Sequence, residues 1–129
     1  MAAKFLNAWG YQGDAMKLPV ADVDTSATFY TERMGFTIES RSEVPHKTVI
    51  LARPDVRIAI NENGGDPEQD GVAFQVEDVQ AVFDEFRTNG LDLDPTKIKI
   101  EQREDGSEWR VFFVVAPDGL CFWIGEKVT

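Results

Sequence analysis

The sequence predicts an α+β chain made of two tandem β-α-β-β-β modules, residues 14–61 and 71–126, joined by a polar linker at 62–70. Three observations predict this. Val20-Ala-Asp22-Val23 returns 56 residues later as Val76-Glu-Asp78-Val79. Gly35 and Gly90 stand at the ends of the two implied helices, offset by 55. Pro54-Asp55 precedes the last strand of the first half, and Pro117-Asp118 the last strand of the second. Capped helices and turns repeated at matched distances mark an internal duplication.

Each element follows from local pattern. Residues 1–13 have no clear period, and Trp9, Gly10, Tyr11 and Gly13 read as a loop or a short extra strand. Met16, Leu18 and Val20 alternate with less apolar residues, as a half-buried strand does. Asp22 or Asp24 caps a helix with Ala27, Tyr30 and Met34 on its buried stripe, and Gly35 ends it. Strands are expected at Phe36–Arg41, Lys47–Arg53 and Val56–Asn61, separated by turns at Pro45 and Pro54-Asp55. Val72, Phe74 and Val76 alternate as the first strand of the second module. Asp78 caps a helix carrying Val79, Val82, Phe83 and Phe86 at i, i+3, i+4 and i+7, which Asn89-Gly90 ends. Strands follow at about Thr96–Arg103, Trp109–Val115 and Leu120–Gly125, with Asp105-Gly106 as a hairpin turn. The apolar run Phe112–Val115 reads as a strand buried on both faces, at a module junction or a dimer interface.

Composition narrows the function. The chain has 129 residues and a net charge of −10, which disfavours binding to the phosphates of nucleic acid. Its longest apolar run, Val111–Ala116, is far short of a membrane span, and the first residues lack the apolar core of a signal peptide. A single cysteine, Cys121, excludes a disulfide within the chain and points to the cytoplasm. A single histidine, His46, excludes a two-histidine, one-carboxylate iron site within one chain. It follows Pro45 at a strand junction and is expected in a surface loop.

Three segments resemble those of vicinal oxygen chelate proteins, the glyoxalase, bleomycin resistance and extradiol dioxygenase superfamily. They are Leu18-Pro-Val-Ala-Asp22 with Ser26-Ala-Thr-Phe-Tyr30 and Met34-Gly-Phe36, then Val72–Val79, then Ala116–Ile124. The resemblance spans about residues 14–126. It implies two modules whose strands curl into an incomplete barrel with helices outside, a ligand groove on the concave face, and a homodimer. It also implies a divalent metal held by His, Glu or Gln on the first and last strands of each module. Those positions fall here on Ala15, Ala59, Gly71 and Trp123, and none offers the oxygen or nitrogen donor a divalent ion needs. Asn61, Glu62 and Gln75 are possible substitutes, although Glu62 is expected to face water in the acidic linker. Asp14 would serve only if the strand register slipped by one.

Alternation then assigns the groove walls. Lys17 and Pro19, Arg57, Ala59 and Asn61, Ala73 and Gln75, and Cys121 and Trp123 are expected to line it. Small residues leave space, Trp123 offers a stacking surface, and Asn61 and Gln75 offer hydrogen bonds. Cys121 is expected to be inert, and Trp9 and Tyr11 could cover the groove mouth or a partner. The expected function is a metal-free small-molecule, antibiotic-type binding protein. The alternative is a metal-dependent lyase or dioxygenase with atypical ligands. A third reading makes dimerisation the main output. Neither Lys17 and Arg57 nor the overall acidity settles the sign of the ligand.

Overall fold

The computed structural model describes residues 3–10 and 14–129. Tyr11 and Gly13 lie outside them. Element order is β1 Phe5–Gly10, β2 Leu18–Pro19, α1 Val23–Glu32, β3 Thr37–Ser42, β4 Thr48–Arg53 and β5 Val56–Asn61, then β6 Gly71–Val76, α2 Val79–Thr88, β7 Lys99–Gln102, β8 Glu108–Val115 and β9 Cys121–Lys127. Single 3₁₀ turns precede β6 and β7. Two mixed sheets result, ordered β2-β5-β4-β3 and β1-β6-β9-β8-β7. This is the duplicated βαβββ plan, with β1 added to the second sheet.

The same devices build both modules. Asp22 accepts from the N–H groups of Asp24 and Thr25 at 3.0 and 3.2 Å, and Asp78 from those of Gln80 and Ala81 at the same distances. Each helix has a second cap from the end of its own module's last strand. The Glu62 carboxylate accepts from Val23 N–H at 3.0 Å, and Glu126 accepts from Val79 N–H at 2.9 Å. Glu62 is therefore a structural cap and not the water-facing linker residue expected. A carboxylate at a helix N-terminus both satisfies an orphan N–H and meets the positive end of the helix dipole.

Two strands are shorter than the sequence predicts, for the same reason. Asp14 holds a turn: its carbonyl accepts from Lys17 N–H and its carboxylate from Met16 N–H, both at 2.9 Å, so the chain extends only from Leu18. Asp14 is thus a turn residue, and no register slip brings it to the sheet. Asp94 likewise caps the 3₁₀ turn Pro95–Lys97 through Thr96, whose N–H and hydroxyl hold the carboxyl below its ordinary pKa. The following strand begins at Lys99.

One buried cluster joins both modules, with Leu18, Ile58 and Ile60 from the first sheet and Phe74, Phe122 and Ile124 from the second. Both helices face it. Tyr30 of α1 meets Phe122 edge-on at 5.5 Å, and Phe122 stacks on Phe74 at 5.8 Å. Two polar anchors cross the same seam. Arg53 donates to both carboxylate oxygens of Glu85 at 2.6 and 2.9 Å, and to the carbonyls of Met34 and Ala3 at 2.7 Å. Asp118 accepts from Ser26 and Tyr30 hydroxyls at 2.8 Å. The helix-facing side of each sheet is thereby committed to the core, and the other side, its open face, is left for function.

Candidate functional site

Register defines the two open faces. In the second sheet Ala73 lies beside Trp123, and Trp123 beside Phe113, while Trp9 pairs with Ala73 and Glu101 with Trp109. Cross-strand partners share a face, so three tryptophans converge there. The rings of Trp9 and Trp109 lie 6.2 and 5.4 Å from that of Trp123. They sit over a second small cluster of Ala73, Val111 and Trp123, separate from the main core. Gly125 sets the attitude of Trp123. A Cβ at that glycine would collide with the indole, so the ring lies back across the bare backbone.

Polar groups frame the rings. Trp123 Nε1–H donates to Glu101 Oε2 at 3.3 Å, and Arg103 meets the other Glu101 oxygen at 3.4 Å. The Arg103 guanidinium also stands 5.3 Å from the Trp123 ring centroid, within cation–π range. Trp109 Nε1–H donates to Ser107 Oγ at 2.8 Å, and Ser107 donates in turn to Asp105. Those Ser107 bonds hold the Asp105 carboxyl below its ordinary pKa. Trp9, Trp123, Phe113 and Cys121, with Glu101 and Arg103 above, enclose a cavity of about 320 Å³.

The candidates from sequence divide between the two sheets. Cys121 and Trp123 line this cavity. Gln75, half-buried, lies on the same face between Asn7 and Gly125. Arg57 and Asn61 belong to the first sheet and Lys17 to the turn before it, and none of the three lines this cavity. Arg57 is paired with Glu39, and Asn61 accepts from Thr48 at 3.3 Å while donating to Met16 carbonyl at 3.4 Å. Lys17 is exposed, but Pro19, expected on the groove wall, is covered by Gly65. Within the chain the candidates therefore divide between the two open faces. The reason is the shared core, which turns both open faces away from it. Phe113 and Val115 are 54% and 69% exposed, so within the chain the run Phe112–Val115 is buried on one face only.

Reading the sequence missed Glu101, Arg103, Trp109 and Gly125. The signal was period-2 placement of Lys99 and Glu101 on β7, opposite Val111 and Trp109, with Arg103 just beyond the strand. A glycine two residues after a tryptophan on one strand was the other.

The metal positions do not fit a metal. Ala15 meets β5 through its backbone, its carbonyl accepting from Ala59 N–H at 3.0 Å. Gly71 lies beside Cys121, and Trp123 gives its N–H to a carboxylate. Among the described residues no three His, Cys, Asp or Glu side chains are grouped to hold an ion. His46 is exposed on the β3–β4 loop.

The sequence profile described as the Glyoxalase/Bleomycin resistance protein/Dioxygenase superfamily matches residues 13–124. The chain belongs to that superfamily. A comparison with curated protein sequences gives no match. Among solved structures, the superfamily chain is similar to a bleomycin resistance determinant encoded on the transposon Tn5, at 23% identity and TM-score 0.65, covering 88% of this chain and 96% of that one. It is also similar to a bleomycin-binding protein complexed with bleomycin, at 24% identity and TM-score 0.61, covering 90% and 98%. A virulence protein from Salmonella typhimurium is similar at 20% identity and TM-score 0.64, covering 88% and 94%. These likenesses fix the fold. Among the described residues no helix is long and apolar enough to cross a membrane.

Proposed function

We propose that this superfamily member is a metal-free binding protein for a small, planar, antibiotic-type organic molecule, held at the tryptophan face of its second sheet. One observation carries the reading. Trp123, buried and packed across Gly125 with its N–H tied to Glu101, forms one wall of a cavity of about 320 Å³ that Trp9 and Phe113 also line. A pre-set aromatic floor with a few fixed polar groups suits an organic ligand. Ala15, Ala59 and Gly71 have no side-chain donor to offer a metal ion. Similarity to a bleomycin-binding protein supports the class of function without naming the ligand.

A homodimer belongs to this proposal. Phe113 and Val115 are exposed beside the cavity, and a second copy over them would bury apolar surface and close the site. The single cysteine agrees with a cytoplasmic setting.

The test is calorimetric titration of protein purified without added metal against planar aromatic antibiotics, bleomycin included, with elemental analysis of the same sample. Saturable binding that Trp123→Ala removes is expected. Stoichiometric iron, manganese, nickel or zinc, or no saturable binding to any planar aromatic, would overturn the reading.

A further inference from the structure

We propose a second ligand site, apart from the tryptophan face and independent of it: the cavity between α1 and the turn joining β8 to β9 takes a small apolar cation, a hydrocarbon group bearing an ammonium. This cavity has a volume of about 540 Å³, larger than the one at Trp123, and its wall is mainly apolar, with Phe29, Pro117 and Ala21 lining it. That size and lining suit a small organic molecule. Phe29 is half-buried, its ring set edge-on against Tyr30 at 5.3 Å. Asp118 ties the two walls together. It accepts from the Ser26 and Tyr30 hydroxyls of the helix at 2.8 Å and from Leu120 N–H of the turn at 3.0 Å. The cavity is therefore pre-formed. The duplicated frame does not require this device, because the other module has Val82 and Phe86 at the places of Ser26 and Tyr30 and buries both in the core.

The sign of the ligand follows from which charges are cancelled. Asp22, Glu32 and Asp118 line the cavity, and among the described residues Arg33 is the one cation that does. The ion pairs among the described residues include none of these three carboxylates. Asp22 and Asp118 accept from neutral N–H and O–H groups, which leave their charge in place. Arg33 donates to the Asn89 carbonyl at 2.6 Å and lies against Gly90, drawn toward the end of α2. Asp22 meets the positive end of its own helix, so Glu32 and Asp118 carry the preference. The adjoining depression between the helices shares Glu32 and does not reverse the balance. Arg53 neutralises Glu85 there, and Asp84 is held by the uncharged Gln80 amide. A hydrocarbon group seated against Phe29 and Pro117 thus brings an attached ammonium to uncancelled carboxylates, and an attached anion is repelled by them.

The probes are cyclohexylmethylammonium and cyclohexanecarboxylate, matched in ring and opposite in sign. They are titrated into the isotope-labelled full chain at neutral pH and followed by its amide resonances. The ammonium is expected to shift those of Ser26, Phe29 and Leu120 saturably and to bind at least about tenfold more tightly than the carboxylate. That advantage should shrink with added salt. Glu32→Lys should weaken the ammonium about tenfold. Glu104→Lys makes the same change in net charge at an exposed place on the β7–β8 hairpin, outside the cavity, and should alter its affinity by less than about twofold. Thr25→Trp, at an exposed position of α1, should fill the cavity and abolish binding, with Thr28→Trp as a second variant should the first fail to fold. Equal affinity for the two probes, equal losses from the two lysine variants, or no saturable shift at these amides overturns the inference. Shifts confined to the tryptophan face overturn it and leave the proposed function standing.

Discussion

The open faces of the two modules are laid on the same register and hold opposite contents. Leu18 pairs with Ile60 as Phe74 pairs with Ile124, so Ala59 corresponds to Trp123 and Asn61 to Gly125. In the first module the small residue comes first and the polar one after it. Asn61 uses its amide to tie the turn before β2 to β5 and β4. In the second, the large aromatic comes first and the glycine makes room for it. The helix-facing sides, by contrast, have kept the same plan: Asp22 and Asp78, Glu62 and Glu126, Val23 and Val79 occupy matching places. The difference teaches that duplication was preserved where it holds the core and lost where a ligand would sit.

The seam between modules gives the largest expected effect. Arg53 is 1% exposed and makes four hydrogen bonds across both halves. Its counterpart near the end of β8 is the buried Ala116, so this anchor exists on one side only. Arg53→Ala strands Glu85 and two carbonyls, at an expected cost of about 3–5 kcal/mol. Urea unfolding should keep one transition and shift it. Two separated transitions in the unaltered protein would break the claim of a common core.

Gly125→Ala tests the open face directly. The added methyl cannot share space with the indole, and displacing the ring should cost about 1–3 kcal/mol. It should also weaken aromatic ligands and change tryptophan fluorescence. Asn61→Ala at the matching place in the first module should leave ligand affinity unchanged. Equal losses of affinity from both variants would show that the site is shared by the two faces.

The contrast also explains what the sequence could and could not reveal. The helices were legible because Asp22, Asp78 and their apolar stripes are local signals. β2 and β7 were overextended because Asp14 and Asp94 bend the backbone through side-chain bonds that alternation does not register. Trp123 and Cys121 lie on the face that alternation assigns them, since period 2 fixes a face. Lys17, Arg57 and Asn61 lie in the first module, away from that cavity, and alternation says which side of a strand a residue takes, not which sheet faces which. Glu62 went unrecognised as a cap because its partner Val23 is 39 residues away. Its repetition as Glu126, at the same place after the last strand of the other module, was the available clue.

Tyr30 and Phe86 sharpen the comparison through pH. They occupy matching helix positions, and only Tyr30 ionises. Burial, then the Asp118 charge and its hydrogen bond, push the Tyr30 hydroxyl far above its ordinary value. The folded state therefore holds this proton where the unfolded state releases it. Its contribution is complete below about pH 10 and falls by about 1.4 kcal/mol per unit above that. Tyr30→Phe should remove this share of the alkaline decline, read from urea midpoints between pH 8 and 11. An unchanged slope would mean that the hydroxyl reaches water.

The smallest effect tests the symmetry itself. Glu62→Gln and Glu126→Gln each keep an acceptor and remove a charge from a helix N-terminus, so each should cost no more than about 1 kcal/mol. The two costs should match, because each carboxylate meets the first N–H of its own helix at 3.0 and 2.9 Å. The double variant should lose their sum, as independent sites do. A large cost for one and none for the other would place the helices in unequal settings. The divergence described for the open faces would then extend into the frame that supports them.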